Sequence, residues 1–190
     1  MDRPGADRRD ALLDGTVGWV LAHGLADLSL RPLARDLGTS DRMLLYYFAT
    51  KDALVTAAVQ RVADTLVGAA TAALGSRIDS PERLVDGFWR VLFDPAARSA
   101  VDLLLEVFAL AARRGDPYRS AAQAVVRTWI DLAVPHLTTL GVPRPDARRV
   151  AVTVAALVDG GLVLATAGVS GRELAAVRRS AVRVVAEACR

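Results

Sequence analysis

Cysteine and lysine are almost absent from this 190-residue chain. The single cysteine, Cys189, excludes an intrachain disulfide, a CxxC redox pair and a cysteine-based zinc site. Histidine and glutamate are also scarce, and no Glu-x-x-His pair of a di-iron bundle is present. The chain contains no P-loop, no GxGxxG and no HExxH. We therefore expect no cofactor, no bound metal and no enzymatic activity.

The chain also has no large excess of positive or negative charge. The 24 basic and 21 acidic side chains leave a net charge of +3, and residues 1–55 hold seven basic and eight acidic groups. Net charge alone therefore does not predict binding to nucleic acid. Every basic residue except Lys51 is an arginine.

Apolar residues, in contrast, are abundant. They make up 53% of the chain, above the roughly 45–50% of ordinary globular proteins, and they predict apolar surface that a second copy covers. Residues 150–171 contain a single charge, Asp159, and approach the length of a spanning helix. A carboxylate near the bilayer centre costs roughly 2.5–3.5 kcal/mol, which favours a buried helix over a membrane span. No targeting segment is visible, and we expect a cytoplasmic protein.

Helical periodicity extends along the whole chain, and no stretch alternates with the period of two that marks a strand. Glycines and prolines separate the periodic segments. They predict helices over about 7–23, 31–37, 41–47, 51–74, 81–93, 98–113, 118–140, 145–167 and 171–187. Ser29 and Ser40 are the predicted N-caps of the second and third helices, and Pro135 is expected to interrupt the seventh. The predicted fold class is all-α.

Residues 30–54 carry the most informative pattern, LRPLARDLGTSDRMLLYYFATKDAL. Ala34 allows a second short helix to approach closely, Gly38 makes a tight turn, and Leu44 follows six residues later. Leucines on the inner face are expected to close a small core beneath. This spacing predicts a helix-turn-helix, and the aromatic run that follows strengthens the prediction.

The same stretch resembles the DNA-binding segment of the TetR family of transcriptional regulators. The family run reads approximately IAxxAGVSxxxLYxHFxxKxxL, and this chain reads LARDLGTSDRMLLYYFATKDAL. Matches fall at Ala34, Gly38, Ser40, Leu44, Phe48, Lys51 and Leu54. Leu45 stands where the family usually has a phosphate-contacting tyrosine, and Tyr47 replaces a common histidine. The specific resemblance covers about a quarter of the chain, and the second half adds little beyond the pair Asp159-Gly160.

The resemblance implies a three-helix DNA-binding domain over residues 1–52 and an effector-binding and dimerisation domain over residues 53–190, connected by the helix from about 51 to 74. It implies a homodimeric repressor that binds near-palindromic double-stranded operator DNA and is released by a small molecule. The alternative is a helical small-molecule-binding or adaptor protein that has lost specific DNA recognition. Leu45 and the slightly acidic N-terminal segment motivate that alternative.

The third helix is expected to lie in the major groove, with its first residues at the base edges. Arg42 suits the O6 and N7 atoms of guanine, and Met43 suits a thymine methyl group. Asp41 either accepts a hydrogen bond from cytosine or stabilises the helix N-terminus, and we favour the second role. The expected phosphate contacts are Thr39, Ser40, Tyr46, Tyr47 and Lys51, and Arg31 is a further candidate DNA-binding residue. Half-buried packing is the alternative for the two tyrosines, and simple solvation is the alternative for the lysine.

Inward-facing aromatic and apolar side chains on the middle helices predict an effector pocket. Its candidate residues are Phe88, Trp89, Leu105, Phe108, Val125, Trp129, His136 and Asp159. Such a lining favours a lipophilic or flat aromatic effector, although the same residues could form a plain core with a hydrogen-bonded histidine. Asp102 and Glu106 are expected to point outward on an ion-pair face.

Small and apolar residues recur along the last two helices, which are predicted to form the dimer interface. The candidate residues are Val150, Val154, Leu157, Gly161, Leu162, Leu174, Val177, Ala181 and Val184. Arginines of the last helix, Arg178 among them, are expected on its solvent side.

Overall fold

The computed structural model describes residues 4–75 and 78–190, with side chains from residue 7 onward. Its helices are α1 (Pro4–His23), α2 (Leu30–Asp36), α3 (Asp41–Phe48), α4 (Lys51–Leu74), α5 (Pro81–Leu92), α6 (Arg98–Arg114), α7 (Tyr118–Thr139), α8 (Arg144–Thr166) and α9 (Gly171–Ala188), with a 3-10 turn at Pro95–Ala97. No strand occurs in this described part of the chain. The all-α fold class is therefore confirmed.

Helix α7 shows the clearest difference from the predicted elements. It runs through Pro135 as one helix, so the predicted interruption is wrong. Pro135 is exposed, and the carbonyl of Asp131 that loses its intrahelical donor belongs to an exposed residue as well. Water can satisfy such a carbonyl, which is why the proline does not break the helix here.

An apolar cluster holds α1, α2, α3 and the start of α4 together, and we call α1–α3 the head. Its buried members are Leu12, Leu13, Leu33, Ala34, Leu44, Phe48, Leu54 and Ala58. Leu37 and Tyr47 pack against this cluster while remaining half-buried. Each fully buried leucine contributes about 1.5–3 kcal/mol relative to an exposed one. The small core predicted beneath the turn is thus present.

The turn between α2 and α3 depends on Gly38, whose φ of 62° favours glycine. The amide of Thr39 donates to the carbonyl of Ala34 at 2.9 Å, and the amide of Gly38 donates to that of Arg35 at 3.2 Å. These two bonds form a Schellman helix ending. Ser40 then begins α3, because its Oγ accepts from the amide of Met43 at 3.3 Å.

Ser29 lies at the N-cap position of α2, as predicted. Its backbone is extended, as at an N-cap, but its side chain makes no capping hydrogen bond. The predicted N-cap position is therefore confirmed, but the side-chain hydrogen bond expected of such a cap is not formed. Packing of buried Leu33 and Ala34 in the head cluster stabilises this short helix instead.

Polar contacts join α1 to its neighbours in the head and in α4. The indole Nε1 of Trp19 donates to Oδ2 of Asp36 at 3.0 Å. Arg61 on α4 donates to Asp14 at 2.8 Å and to Asp10 at 3.1 Å. Both acceptors are exposed, so each pair contributes at most about 1 kcal/mol, and its main effect is on geometry.

The chain divides into two compact units that do not follow the order of the sequence. The first contains the residues up to Asp64 together with Ser99–Val125, and the second contains Thr65–Arg98 together with Val126–Arg190. Helices α4 and α7 each continue from one unit into the other. Helix α6 therefore packs in the same unit as the head, although the boundary predicted near residue 52 separates them in sequence.

In the second unit, α8 and α9 form a helical hairpin on which α5 packs. A capping box between Ser170 and Glu173 begins α9. Arg178 on α9 forms an ion pair with Asp86 on α5, so its predicted location on the solvent side is wrong. Helical phase correctly states which residues of α9 share a face with Arg178, but α5 covers the part of that face where Arg178 lies.

Two helices, Lys51–Leu74 and Arg144–Thr166, are long and apolar enough to cross a membrane by length and composition alone. Core helices of soluble proteins meet the same criterion. In α8, Val150, Val154 and Val158 are buried within the chain itself. Its hydrophobicity is therefore explained in part by packing inside the second unit.

Candidate DNA-binding surface and effector region

Helix α3 presents one face to the head cluster and the other to solvent. Leu44 and Phe48, four residues apart, are buried. The exposed side chains of the opposite face are Arg42, Met43, Leu45 and Tyr46. Tyr46 is 76% exposed, against 38% for Met43 and 40% for Leu45. An uncovered helix face with an arginine near its N-terminus has the form that a major-groove reader requires.

The other predicted DNA-binding residues lie close to this helix in sequence, and they differ in exposure. Arg31 on α2 and Ser40 are exposed, whereas Thr39 and Lys51 are half-buried. Lys51 is the first residue of α4. Asp41 lies in the first turn of α3, where a carboxylate stabilises the positive end of the helix dipole.

The two tyrosines differ in their surroundings. Tyr47 is half-buried against the head cluster, as the packing alternative expects. Tyr46 does not fit that alternative, because most of its surface is exposed. Their rings contact edge to face, with centroids 5.1 Å apart. Tyr46 is therefore outside the core, and its ring contacts that of Tyr47.

The link between α3 and α4 contains a feature that sequence patterns did not indicate. Ala49 adopts φ 60°, a left-handed value that is uncommon for alanine. Thr50 follows it, and its Oγ1 accepts from the amide of Ala53 at 3.0 Å. Thr50 is thus a side-chain cap for α4, which its residue type could have signalled, whereas the strained alanine had no local signal.

The predicted effector residues of the second unit form two aromatic pairs. The rings of Phe88 and Trp129 contact edge to face, with centroids 5.8 Å apart. Trp89 stacks on Phe93 instead, with centroids 4.0 Å apart and nearly parallel planes. Gly161 of α8 lies against this stack, since a Cβ there would be 3.2 Å from the Trp89 ring.

The remaining effector candidates divide between the two units. Leu105, Phe108 and Val125 belong to the first unit, and only Val125 is fully buried. His136 and Asp159 belong to the second. The structure brings Phe88 to Trp129 but does not bring Trp89 to them as a ring pair. A single pocket lined by all eight residues stays a prediction.

Burial shifts the protonation of both polar candidates. It lowers the pKa of His136, which favours the neutral imidazole at pH 7. It raises the pKa of Asp159 to about 6. Burial therefore disfavours the charged form of Asp159, because it removes water that would solvate the carboxylate.

The predicted dimer residues lie mostly inside the single chain. Those that are buried are Val150, Val154, Gly161, Leu162 and Ala181, and those that are half-buried are Leu157, Leu174, Val177 and Val184. The apolar side chains that α8 leaves exposed are Val152, Ala156, Val163 and Leu164, with Gly160 between them. Val163 is 56% exposed, so this second face of α8 has apolar surface that its own chain does not cover.

Glu106 contradicts the expectation that it points outward with Asp102. Asp102 is exposed, but Glu106 is half-buried and its carboxylate accepts hydrogen bonds from the amides of Leu25 and Ala26. Helical phase correctly placed both acids on one face of α6. The loop between α1 and α2 covers the end of that face, which phase alone could not show.

Comparison with known proteins decides the family. Residues 12–58 match the family of bacterial regulatory proteins of the tetR type, and residues 95–180 match the C-terminal domain of LmrA/YxaF-like transcriptional regulators. The HTH-type transcriptional regulator BetI of Rhizobium meliloti is 30% identical over 155 residues, which cover 80% of this chain and 75% of that protein. The chain belongs to the TetR family of transcriptional regulators.

Solved structures, a TetR-family regulator among them, have the same fold. The family regulator from Cytophaga hutchinsonii superposes with a TM-score of 0.78 at 20% identity, over 99% of this chain and 98% of that one. The multidrug binding protein EbrR, solved in complex with proflavin, gives a TM-score of 0.67 at 26% identity, over 93% and 99% of the two chains. This TetR-family chain is a DNA-binding transcriptional regulator, and the adaptor alternative is not favoured.

Replacing Asp159 by asparagine tests whether burial governs this carboxyl in the TetR-family fold. Its pKa rises from 3.8 to about 6 on folding, so the folded chain binds the proton more tightly and stability falls as pH rises through that interval. We expect Asp159→Asn to increase the free energy of unfolding by up to about 3 kcal/mol above pH 7, at 1.36 kcal/mol per pKa unit, and by nothing below about pH 3.5. Urea titrations between these pH values measure the difference.

Asp131→Asn is the control, because Asp131 is exposed on the same chain and should show a small difference at every pH. A stability difference for Asp159→Asn that does not change with pH would contradict the interpretation.

Proposed function

We propose that this chain is a homodimeric repressor that binds near-palindromic operator DNA and is released by a small lipophilic molecule. We also propose that it acts in the cytoplasm without enzymatic activity. The observation that carries the DNA-binding role is the uncovered face of α3, where Arg42, Met43 and Tyr46 are exposed above a buried Leu44. Regulators of the TetR family bind operator DNA as dimers, which supports the same assignment.

Each exposed side chain of α3 has a role in this proposal. Arg42 reads guanine through a bidentate contact, and Met43 packs on a thymine methyl group. Tyr46 supplies the phosphate-contacting hydroxyl that Leu45 lacks, since it is the more exposed of the two neighbouring tyrosines. Lys51 adds a phosphate contact at the start of α4, which fixes register without reading sequence.

Arg42→Ala and Lys51→Ala separate base reading from phosphate binding. We expect Lys51→Ala to weaken binding to all duplexes similarly and to lower the slope of log K against log salt by about one. We expect Arg42→Ala to cost about 1–3 kcal/mol at one base pair and to relax specificity there. The measurements are selection from a random DNA pool followed by fluorescence anisotropy over a range of salt concentrations.

Arg35→Ala is the matched control, because Arg35 is exposed on α2 but ion-paired with Asp36 and outside the proposed contact set. A wild-type selection that enriches no motif would overturn the proposed operator binding.

The exposed apolar face of α8 supports dimerisation. Val152, Val163 and Leu164 are between 41% and 56% exposed. Monomeric proteins seldom leave several such side chains uncovered along one helix. We propose that a second copy covers this face, and that the buried valines at positions 150 and 154 serve the core of each chain instead.

Val163→Arg tests this interface without disturbing the core, because the native side chain is 56% exposed. We expect the variant to be folded and monomeric, with a mass near the 20.2 kDa of one chain by light scattering, whereas the native chain forms a dimer. Ala72→Arg, at an exposed position of α4, should leave the dimer intact. If the native chain itself gave the monomer mass, the proposed interface would have to be abandoned.

The aromatic pairs of the second unit support a lipophilic effector. Phe88 and Trp129 offer apolar ring surface, and His136 is an imidazole that burial keeps neutral. One or two hydrogen bonds then orient a ligand that is held mainly by burial, at about 25 cal/mol per Å². Similarity to EbrR, whose structure contains proflavin, makes proflavin a reasonable first probe. Helix α4 runs from the second unit into the first and would carry the effect to the head.

A thermal-shift screen with proflavin, other lipophilic compounds and polar metabolites tests the effector class. A ligand at a hundred times its Kd should stabilise the fold by about 2.7 kcal/mol. We expect Trp129→Ala and His136→Ala to weaken binding of a lipophilic hit, and Val126→Ala, at an exposed position of α7, to leave it unchanged. Shifts by polar metabolites alone, or unchanged affinity in the first two variants, would contradict the proposal.

A further inference from the structure

We propose that Glu106 and Arg114 of α6 are positioning residues that hold the loop between α1 and α2 and thereby set the orientation of the DNA-binding head. We call this contact the clasp, and it consists of these two side chains and the backbone of residues 24–26. The clasp lies entirely within the first unit. Its effect on DNA binding rests on the proposed function, but the hydrogen bonds that hold the loop to α6 do not.

The acidic half of the clasp is a carboxylate bound to backbone amides. The amide of Leu25 donates to both oxygens of Glu106, at 2.9 and 3.1 Å, and the amide of Ala26 donates to Oε1 at 2.8 Å. Charged acceptors make hydrogen bonds about twice as strong as neutral ones. One side chain thus accepts hydrogen bonds from the two backbone amides, those of Leu25 and Ala26, that follow the end of α1.

Gly24 makes room for this carboxylate. Its φ is 79°, which ends α1 and favours glycine. A Cβ at this position would stand 3.1 and 3.2 Å from the two oxygens of Glu106. Any other residue would therefore both strain the backbone and crowd the acid, so the loop is shaped to admit Glu106.

The basic half of the clasp binds the carbonyl side of the same loop. Nη1 of Arg114 donates to the carbonyl of Ala26 at 2.9 Å. The hydroxyl of Tyr118, at the start of α7, lies 3.5 Å from the carbonyl of Leu25. The carboxylate of Glu106 therefore accepts from backbone amides, and the guanidinium of Arg114 donates to a backbone carbonyl. The two side chains are eight residues apart on α6, about 12 Å along its axis.

The position of the loop explains why this contact orients the head. Leu25 within the clasped backbone and Leu28 just after it are buried, so the loop cannot shift without the core. The loop leads directly into α2 and the turn before α3. Its other side is held by α6, and the chain continues from α6 through α7 into the second unit, where Trp129 and His136 lie. The clasp therefore connects the helix-turn-helix to the segment that leads to the proposed effector residues.

The test uses full-length protein with Glu106→Gln and Arg114→Ala. These variants change net charge in opposite directions, so a shared effect cannot come from long-range attraction to DNA. Glu82→Gln and Arg113→Ala are the matched controls, since both native residues are exposed and make the same charge changes elsewhere. Glu106→Asp, which keeps the charge and shortens the side chain, replaces Glu106→Gln if that variant fails to fold.

The first readout is hydrogen exchange of the Leu25 and Ala26 amides without DNA. We expect exchange to be about tenfold faster or more in Glu106→Gln and unchanged in Glu82→Gln. The second readout compares affinity for a selected operator duplex with affinity for an unrelated duplex of equal length. We expect about tenfold weaker operator binding in both clasp variants and less than twofold change on the unrelated duplex, because phosphate contacts tolerate a loosened head.

A purely structural role would lower the melting temperature and reduce binding to both duplexes equally, which would overturn the proposal. Wild-type exchange rates in Glu106→Gln would overturn it as well. If the native protein binds neither duplex selectively, the proposed function fails, and exchange still decides whether the clasp holds the loop.

Discussion

Burial of Leu44 and Phe48 in the head cluster is the contact on which the recognition surface depends. Four residues apart on α3, they fix the rotation of this short helix about its axis. A helix of eight residues is not stable alone, so packing, not propensity, holds it in place. Once this face is buried, Arg42, Met43 and Tyr46 must face outward, and the geometry of the proposed DNA-reading face follows from the packing of apolar side chains beneath it.

The clasp adds a second constraint of a different kind. The head cluster determines how the three helices pack against one another, but apolar contacts are non-directional. Hydrogen bonds between Glu106 and the amides of Leu25 and Ala26 have direction, and they fix the approach of α6 to the loop. Arg61, with Asp10 and Asp14, provides a more exposed link between α1 and α4. The head is therefore attached by polar contacts to two helices that lie outside it.

The two faces of α8 show how burial divides one apolar helix between two tasks. Val150, Val154 and Leu162 pack inside the chain, whereas Val152, Val163 and Leu164 remain exposed. Composition explains why both sets are apolar, since the helix is hydrophobic on most of its circumference. Only one set can face the core, and the other is available to a second copy. Asp159 lies at the margin of these faces, where burial raises its pKa.

The helices, the turn and the family motif follow from local sequence, because they depend on residues close together in the chain. Gly38 and Ser40 specify the turn and the start of α3 through bonds to neighbours within five residues. The pattern around Lys51 identifies the DNA-binding segment without any knowledge of tertiary packing. Contacts between distant segments were decided only by the tertiary structure.

Glu106 and the valines of α8 illustrate why. Helical phase states which side chains share a face, and it assigned these correctly. It does not state whether solvent, another segment or a second chain covers that face. For Glu106 the cover is a loop about eighty residues earlier in the chain, and for Arg178 it is Asp86 on α5. Such pairings arise from the way the helices assemble, which no local pattern in the sequence encodes.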